Sequence, residues 1–285
     1  MKINTISPQD NKFLQIITTI AIPPKKLHFI GKIPDKRVPT VAIVGSRKPT
    51  AYGKEVTYQL AYDIAKHGIV VVSGLALGVD AIAHRAALDA GGKTLAVLAN
   101  GVDNIYPATN RDLASDVLAH EGAIISEYEP GTEARDFQFL ERNRIVSGLS
   151  DAIIVTEAAA RSGTLSTAAH ALEQGREVFV VPGNITSPLS AGCNNLIKQG
   201  AHPITCANDV LEIIAPETLK SQSLLPLGST PLESKIISLL QSGIRDGEEL
   251  QVLSEVDIVE FSRAITMMEI SGTIRALGGN QWTLR

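Results

Sequence analysis

Short apolar runs that alternate with amphipathic segments constrain the fold of this chain more than any other feature of its sequence. From residue 41 onward the runs are nearly continuous in Val, Ile, Leu and Ala, the pattern of strands buried on both faces of a parallel sheet. They lie at 41–45, 69–73, 94–99, 123–126, 152–156 and 177–181, with a weaker run near 201–205.

Helical segments separate these runs. Residues 54–66, 79–90 and 165–174 have apolar residues spaced about 3.6 apart, and Gly68, Gly91 and Gly175 each follow a last helical turn. Repeated strand–helix–strand units predict a doubly wound α/β domain at about 41–215.

The sequence on either side of this region has a different character. Residues 1–40 predict a short helical lead-in, and 216–230, with Pro and Ser but no periodicity, predict a linker. Residues 231–285 predict helices at 231–241, 247–253 and 258–270, then a hairpin at 273–284 that turns at 278–280. Three helices and a terminal hairpin are typical of a winged-helix-like domain.

Composition excludes several classes of protein. The 285 residues carry a net charge of −4, which excludes a protein that holds duplex DNA by bulk positive charge, although a local basic groove stays open. Two cysteines, Cys193 and Cys206, exclude a disulfide scaffold and a CxxC metal site, and favour a cytoplasmic protein. No apolar run reaches the roughly 18 residues that span a bilayer, and residues 13–22 are interpreted as a buried helix rather than a signal peptide.

The turns that follow the strands predict a ligand-binding edge, because ligands of open α/β sheets bind at the carboxyl ends of strands. Glycine lets the backbone approach a ligand, and hydroxyls and free amides at helix starts donate to anions. Four successive turns of this kind predict a phosphate site. Their residues are Gly45, Ser46 and Arg47; Ser73 and Gly74; Ser162, Gly163 and Thr164; and Gly183 with Asn184.

Basic and aromatic side chains favour a nucleic acid as the ligand. Arginine makes bidentate contacts to phosphate, and aromatic rings stack on bases. Each arginine alone is more often part of a surface ion pair and each aromatic more often a core residue, but the cluster favours a site. Its members are Arg47, Lys48, Arg142, Arg144, Arg161 and Lys198, with Tyr52, Tyr106, Phe137 and Phe139.

Familiar catalytic and cofactor motifs are missing. No GxGxxG follows a strand, HExxH and GxSxG are absent, and the GKT at 92–94 enters a strand instead of opening a helix. Asp80 and His84 share a helix face and are expected to form a hydrogen-bonded pair rather than a catalytic or metal site. Cys193 is expected to be a small buried residue.

Several long motifs occur in a fixed order between about residues 40 and 215. They are VAIVGSRKPTAYG, VVSGLALGVDAIAHRAAL, GKTLAVLANGVDNIYPATN, GAIISEY, ERNRIVSGLSDAIIVTEAAARSGTLSTAAHALEQGREVFVVPGN and SAGCNNLIKQGA. In this order they resemble the bacterial DNA-processing protein A family (DprA, also called Smf). Residues 231–285 resemble the winged-helix-like tail of many members.

The resemblance implies an extended Rossmann-like α/β fold that binds single-stranded DNA. It also implies a dimer without catalytic activity or cofactor, which protects incoming strands during natural transformation and loads the RecA recombinase onto them. The DNA-binding residues carried over by motif are Gly45, Ser46, Arg47, Ser73, Gly74, Phe139, Arg142, Asn143, Arg144, Ser162, Gly163 and Lys198. Where the family usually has Phe-Pro before its RNR stretch, this chain has Leu140 and then Glu141 in place of the Pro, which alters the loop beside Phe139.

An enzyme on the same broad fold is an alternative. Nucleotide N-glycoside hydrolases of the Lonely Guy type carry a PGGxGTxxE motif, and the corresponding stretch here ends in Thr167 where the catalytic Glu belongs. A hydroxyl cannot stabilise a developing oxocarbenium ion as a carboxylate does, which disfavours hydrolysis. A nucleotide-sensing module without chemistry is a second alternative.

The tail is a third candidate for DNA binding, and its charge argues against that role. Residues 231–285 hold five basic and eight acidic side chains, and a helix at 257–270 would bring one Arg and three acids to the duplex. The tail is therefore expected to bind protein or to fold back on the main domain.

Residues 207–214, a predicted helix with Val210, Leu211, Ile213 and Ile214, are a candidate dimer interface.

Overall fold

The structure is a computed structural model that describes residues 2–218 and 230–284. The chain divides into two compact units, residues 1–218 and 219–285. The predicted linker lies largely outside the described residues, which resume at Thr230.

A nine-stranded sheet runs through the first unit. In chain order its strands are β1 Asn4–Ile6, β2 Leu27–Gly31, β3 Thr40–Val44, β4 Val70–Ser73, β5 Thr94–Val97, β6 Ala123–Ser126, β7 Ala152–Val155, β8 Glu177–Val180 and β9 His202–Pro203. Across the sheet they lie in the order β1-β2-β6-β5-β4-β3-β7-β8-β9. Its seven strands from β3 to β9 are parallel, whereas β1 and β2 pair antiparallel. The chain winds from β3 towards one edge and then from β7 towards the other, so the order reverses between β3 and β7.

The doubly wound α/β fold predicted from the sequence is confirmed. Every residue of β3 to β7 is buried, which explains the unbroken apolar runs. Helices that connect the parallel strands pack against the sheet, and Gly68, two residues after the first of them, has a φ of 78° that favours glycine. The helices are α1 Ala51–Lys66, α2 Val79–Asp89, α3 Arg111–Ala119, α4 Asp136–Gly148, α5 Thr164–Glu173, α6 Ala191–Lys198 and α7 Ala207–Ile214.

The first 40 residues contain more than the predicted helical lead-in. Two short 3₁₀ helices, Pro8–Asp10 and Leu14–Thr19, are present, and the second buries Leu14 and Ile17 in the core. However, β1 and β2 also belong to this segment and extend the sheet beyond β6. The sequence pattern does not predict these strands, because they are short and their stability depends on the free edge that β6 offers.

Helix α7, the candidate dimer interface, mostly packs within its own unit. Val210 and Leu211 are fully buried, and the helix contacts α1. Ile213 is the large apolar residue of this helix that stays substantially exposed, at 47%. The apolar pattern of 207–214 therefore reflects internal packing.

The second unit has the predicted elements. Its three helices are Pro231–Gln241, Gly247–Ser254 and Ile258–Ile270, and β10 (Ile274–Gly278) and β11 (Gln281–Leu284) form the hairpin. Side chains of Thr230, Asp246 and Asp257 cap the three helix starts, and one apolar cluster fills the core. Its assignment as a winged-helix-like domain stays a prediction. Within the described parts of both units, no helix has the length and apolar character that a membrane span requires.

Candidate nucleic-acid interface

A cavity of about 380 Å³ opens at the carboxyl edge of the sheet, beside the point between β3 and β7 where the strand order reverses. The end of β3, the start of α2, one side of α4 and the start of α5 form its walls. Seven of the twelve residues implied by the family resemblance line it. They are Gly45, Arg47, Phe139, Arg142, Asn143, Ser162 and Gly163.

Backbone contacts from three elements hold the turn after β3. The Ser46 amide donates to the Glu157 carbonyl at 2.7 Å, and the Ser46 carbonyl accepts from the Val79 amide at 3.1 Å. The Thr164 hydroxyl donates to the Gly45 carbonyl at 3.0 Å. A Cβ on Gly45 would lie 2.7 Å from a methyl group of Val79, so this position requires glycine. The turn therefore holds Arg47 in a fixed position at the cavity wall.

Arg47 is the exposed cation of the cavity. Its guanidinium carbon lies 5.1 Å from the centre of the Phe139 ring, a cation–π contact that orients the charge. Tyr106 packs against the same ring at 5.8 Å between centroids. Among the residues that the structure describes, Arg47 forms no ion pair, so its charge is available to an anion. Phe139 thus supports Arg47, and its stacking on a base, which the family resemblance implies, stays a prediction.

Arg142 is buried beneath the cavity and does not present its charge to solvent. It is 4% exposed, and its guanidinium donates to the carbonyls of Gly74, at 2.8 Å, and of Val97. Burial lowers the pKa of Arg142, and nearby Asp80 opposes that shift. The expected role in phosphate neutralisation is therefore corrected: Arg142 joins the ends of β4 and β5 and forms part of the cavity floor.

Asp80 and His84 do not bond each other, contrary to the sequence prediction. The Asp80 carboxylate accepts from the amides of Gly74 at 3.0 Å and Ala76 at 3.4 Å, while His84 Nδ1 lies 2.6 Å from the Thr94 hydroxyl. Burial raises the pKa of Asp80, and the charge of Arg142 opposes this shift. Burial lowers the pKa of His84 to about 3. Each side chain instead holds a different strand end in place.

Four further candidates do not line the cavity. Ser73 is fully buried and donates to the Ile43 carbonyl at 2.7 Å. Arg144 forms an ion pair with Glu127 at 2.5 Å, and both side chains are largely buried. Lys198 is exposed, but it ends α6, which starts at the carboxyl edge and runs back along the sheet. Gly74 is also buried, and its amide is occupied by Asp80 as described above. Burial, an ion pair and the direction of α6 keep these four residues out of the cavity lining. The sequence motifs do not predict any of these three effects.

Helix α5 begins at the cavity and turns the positive end of its dipole towards it. The Asn143 amide donates to the Ser166 hydroxyl at 2.8 Å, and that hydroxyl donates to the Gly163 carbonyl at 2.8 Å. The Ser162 hydroxyl accepts from the Thr164 amide at 3.2 Å. These bonds join α4 to the start of α5 and shape the wall opposite Arg47.

The residues in the hydrolase motif lack the required carboxylate. Thr167, which stands where that motif has its Glu, is 2% exposed and lines the cavity. Glu157 uses both carboxylate oxygens to bind Thr50, at 2.8 Å to the amide and 2.7 Å to the hydroxyl. Cys193 is buried as predicted, and burial raises the pKa of its thiol to about 11. The geometry therefore favours binding over glycoside hydrolysis.

Residues 4–215 match the family model described as DNA recombination-mediator protein A. The chain is 42% identical over 211 residues to the DNA processing protein DprA of Bacillus subtilis (strain 168). The aligned region covers 74% of this chain and 71% of the relative. It is 39% identical over 221 residues to the protein Smf of Synechocystis, covering 76% of this chain and 55% of the relative.

Two solved structures have a similar fold. DNA processing protein A from Streptococcus pneumoniae superimposes with a TM-score of 0.68 and 37% identity, over 75% of each chain. The Helicobacter pylori protein superimposes with a TM-score of 0.66 and 34% identity, over 76% of this chain and 97% of that one, and is described as having a unique single-stranded DNA binding mode. Sequence and structure thus agree over most of the first unit, and the chain belongs to the DNA recombination-mediator protein A family.

Proposed function

We propose that this chain binds single-stranded DNA at the cavity beside the point between β3 and β7 where the strand order reverses. We further propose that it acts without catalysis as a recombination mediator. The observation that carries the proposal is the exposed guanidinium of Arg47, held against Phe139 at the mouth of a cavity that α5 faces with its amino end. A cation and a helix start both favour a phosphate. The single-stranded DNA binding described for the Helicobacter pylori relative supports it.

A single strand fits this cavity better than a duplex. The bases of a duplex are stacked and paired, whereas a flexible strand can insert one nucleotide into a concave site and leave the next outside. Exposed aromatic rings lie close by: Tyr106 is 48% exposed, and Phe137, on the first turn of α4, is 53% exposed. They offer stacking surfaces that accept any base, so we expect binding with little sequence preference.

The cellular role extends this binding activity. We infer that the protein protects incoming DNA and loads the RecA recombinase in natural transformation, as a cytoplasmic homodimer without a cofactor. Membership of the recombination-mediator family supports this role. The nucleotide-sensor and hydrolase alternatives are less favoured, because Arg47 lies at an open wall suited to a continuous strand and Thr167 replaces the needed carboxylate.

The test is fluorescence anisotropy with labelled oligo-dT and a matched duplex at several salt concentrations. Arg47→Ala should weaken oligo-dT binding by roughly tenfold, the value of one charge-assisted contact. It should also flatten the slope of log K against log salt by about 0.7, one phosphate contact. Lys198→Ala is the matched control, since it removes an exposed cation outside the cavity.

Two outcomes would contradict the proposal. If Arg47→Ala bound oligo-dT with wild-type affinity and the wild-type slope of log K against log salt, this cavity would not be the DNA-binding site. A wild-type protein that does not bind oligo-dT at low salt would exclude the mediator function, and a mononucleotide-binding and N-glycoside hydrolysis screen would follow.

A further inference from the structure

The fourth turn of the predicted binding edge, Gly183 with Asn184, does not line the cavity beside Arg47, which we call the first cavity. This turn lines a second cavity of about 440 Å³, which lies at the carboxyl end of β8 between the starts of α1 and α6. Tyr52, on the first turn of α1, and Ser190, directly before α6, line the second cavity as well. A volume of this size is typical of sites that hold a small organic group.

The turn after β3 separates the two cavities. Gly45 and Arg47 line the first cavity, whereas Thr50, at the end of the same turn, lines the second. Glu157 fixes this turn from the end of β7, because its carbonyl accepts from the Ser46 amide and its carboxylate accepts from Thr50. The two cavities are therefore neighbours on one rigid edge.

The register of the sheet gives the distance that a ligand must cross. Val44, Val155 and Val180 lie side by side at the ends of β3, β7 and β8. The ends of β3 and β8 are thus two strand spacings, or about 10 Å, apart. A DNA strand that leaves the first cavity along the carboxyl edge reaches the second within a few nucleotides.

The side chains of the second cavity fit a base better than the phosphate that the sequence predicts for this turn. Glu157 is the one charged side chain among the described residues that line the cavity, and a carboxylate repels a phosphate. Tyr52 is 48% exposed, and its hydroxyl donates to the Pro182 carbonyl at 2.8 Å, which holds the ring at the wall. An aromatic ring in this position can stack on any base.

Ser190 supplies a hydrogen-bonding group that the fold itself does not use. It is 5% exposed, and within the described residues its hydroxyl has no hydrogen-bond partner. A Cβ on Gly183 would lie 2.2 Å from the Ser190 oxygen, so glycine is required to leave room for this hydroxyl. Buried hydroxyls are usually paired, and one that lines a cavity without a partner indicates a ligand group. A hydroxyl donates and accepts, and the edges of unpaired bases offer partners of both kinds.

We propose that the second cavity holds a base of the same DNA strand, a few nucleotides from the nucleotide at Arg47, with Tyr52 stacked on the base and Ser190 bonded to its edge. This assignment rests on the proposed binding of single-stranded DNA and adds a second subsite to it. Arg47 neutralises a phosphate at the first cavity, and Tyr52 binds a base at the second.

The first test is fluorescence anisotropy with oligo-dT and the full chain. Tyr52→Leu should weaken binding by about fivefold or more, the value of one stacked base, and leave the slope of log K against log salt unchanged. Tyr58→Leu is the matched control and should keep wild-type affinity. Tyr58 is an exposed tyrosine of the same helix outside both cavities, and its hydroxyl is bonded to Asp89 at 3.0 Å.

Two further variants test the roles of the ring and the hydroxyl. Tyr52→Phe keeps the ring and loses only the bond to Pro182, so it should retain most of the affinity that Tyr52→Leu loses. Ser190→Ala removes the unpaired hydroxyl and should weaken oligo-dT binding several-fold. Circular dichroism establishes that each variant is folded.

A fully abasic oligonucleotide of the same length separates base contacts from phosphate contacts. Wild type should bind it more weakly than oligo-dT, Tyr52→Leu should bind it as well as wild type does, and Arg47→Ala should still bind it more weakly. Wild-type affinity of Tyr52→Leu for oligo-dT, or a flattened salt slope in that variant, would overturn the second subsite. If Arg47→Ala weakens oligo-dT binding and Tyr52→Leu does not, the proposed function stands and the second subsite alone fails. If Arg47→Ala has no effect, both fail.

Discussion

At the scale of single residues, the cavity contains two arginines with opposite surroundings. Arg47 is exposed and rests on an aromatic ring, whereas Arg142 is buried and bonds the carbonyls at two strand ends. A buried guanidinium is stable only when its donors are satisfied, so Arg142 is tied to the shape of the floor. Arg47 contacts little else and is free to meet a ligand. The two residues should therefore respond differently to substitution.

Replacement of the buried arginine should destabilise the first unit. Arg142→Met keeps most of the side-chain volume but leaves two carbonyls without donors and Asp80 without a nearby cation. We expect a loss of about 3 kcal/mol in the free energy of unfolding, measured in urea. Arg161→Met, at an exposed arginine, should change that free energy by less than about 0.5 kcal/mol. Equal effects of the two substitutions would contradict the buried role of Arg142.

His84 should make stability depend on pH. Its pKa is about 3 in the folded protein and about 6.5 in the unfolded chain, so the unfolded state binds an additional proton between these values. Stability is therefore highest above pH 6.5 and should fall as pH is lowered from 6.5 towards 3, by up to about 1.4 kcal/mol per pH unit. Urea unfolding at several pH values should show a shallower dependence in His84→Asn. If the free energy of unfolding depended on pH with the same slope in both proteins, His84 would be excluded as a source of the pH dependence.

At the scale of secondary-structure elements, the interface depends on how the start of α2 meets the turn after β3. Gly78 precedes α2 with a φ of 78°, and a Cβ there would press against the Ser46 carbonyl oxygen. That carbonyl also accepts from Val79, so one short contact region connects the helix to the turn that carries Arg47. Helix and turn are expected to move together.

Gly78→Ala should therefore reduce both stability and DNA binding. Gly175→Ala is the matched control, because Gly175 has a similar φ of 66° but open space around its Cβ position. Gly175→Ala should cost about 1 kcal/mol in unfolding free energy because of its positive φ. Gly78→Ala should cost more, because a φ of 78° with a ψ of −124° lies outside the left-handed helical region and is open almost only to glycine. Only Gly78→Ala should also weaken oligo-dT binding, by several-fold in anisotropy titrations. A similar loss of DNA affinity in Gly175→Ala would refute the coupling between α2 and the turn.

At the scale of the whole molecule, the two units have separate cores and different surfaces. The first unit contains the complete cavity, and the second has its own apolar cluster and an excess of acidic side chains. Negative charge repels a DNA strand, so the second unit should add little to DNA affinity.

Removal of residues 219–285 should leave single-stranded DNA affinity within about twofold of the full chain, because every residue of the cavity lies before that point. Circular dichroism establishes that the shortened protein is folded, and anisotropy with oligo-dT measures its affinity. A tenfold or larger loss by a folded first unit would place part of the DNA site in the second unit.

The amino-acid pattern alone determined the parallel strands β3 to β9, three of the helices between them and the edge of the sheet at which the cavity opens. Strands buried on both faces must be continuously apolar, and a parallel sheet must place its ligands at the carboxyl ends of strands, so Val41 to Arg47 already indicated a strand that leads into a site. The helices of the second unit were also predicted from the sequence, from the spacing of their apolar residues.

Only the tertiary structure decided which side chains reach the ligand. Arg142 and Arg144 are two residues apart, and one lies beneath the cavity while the other pairs with Glu127. Likewise, β2 is a strand because β6 offers it an edge. Burial, ion pairing and edge pairing depend on neighbours that are distant in the chain. The local pattern of residue types does not predict which of these neighbours the fold brings together.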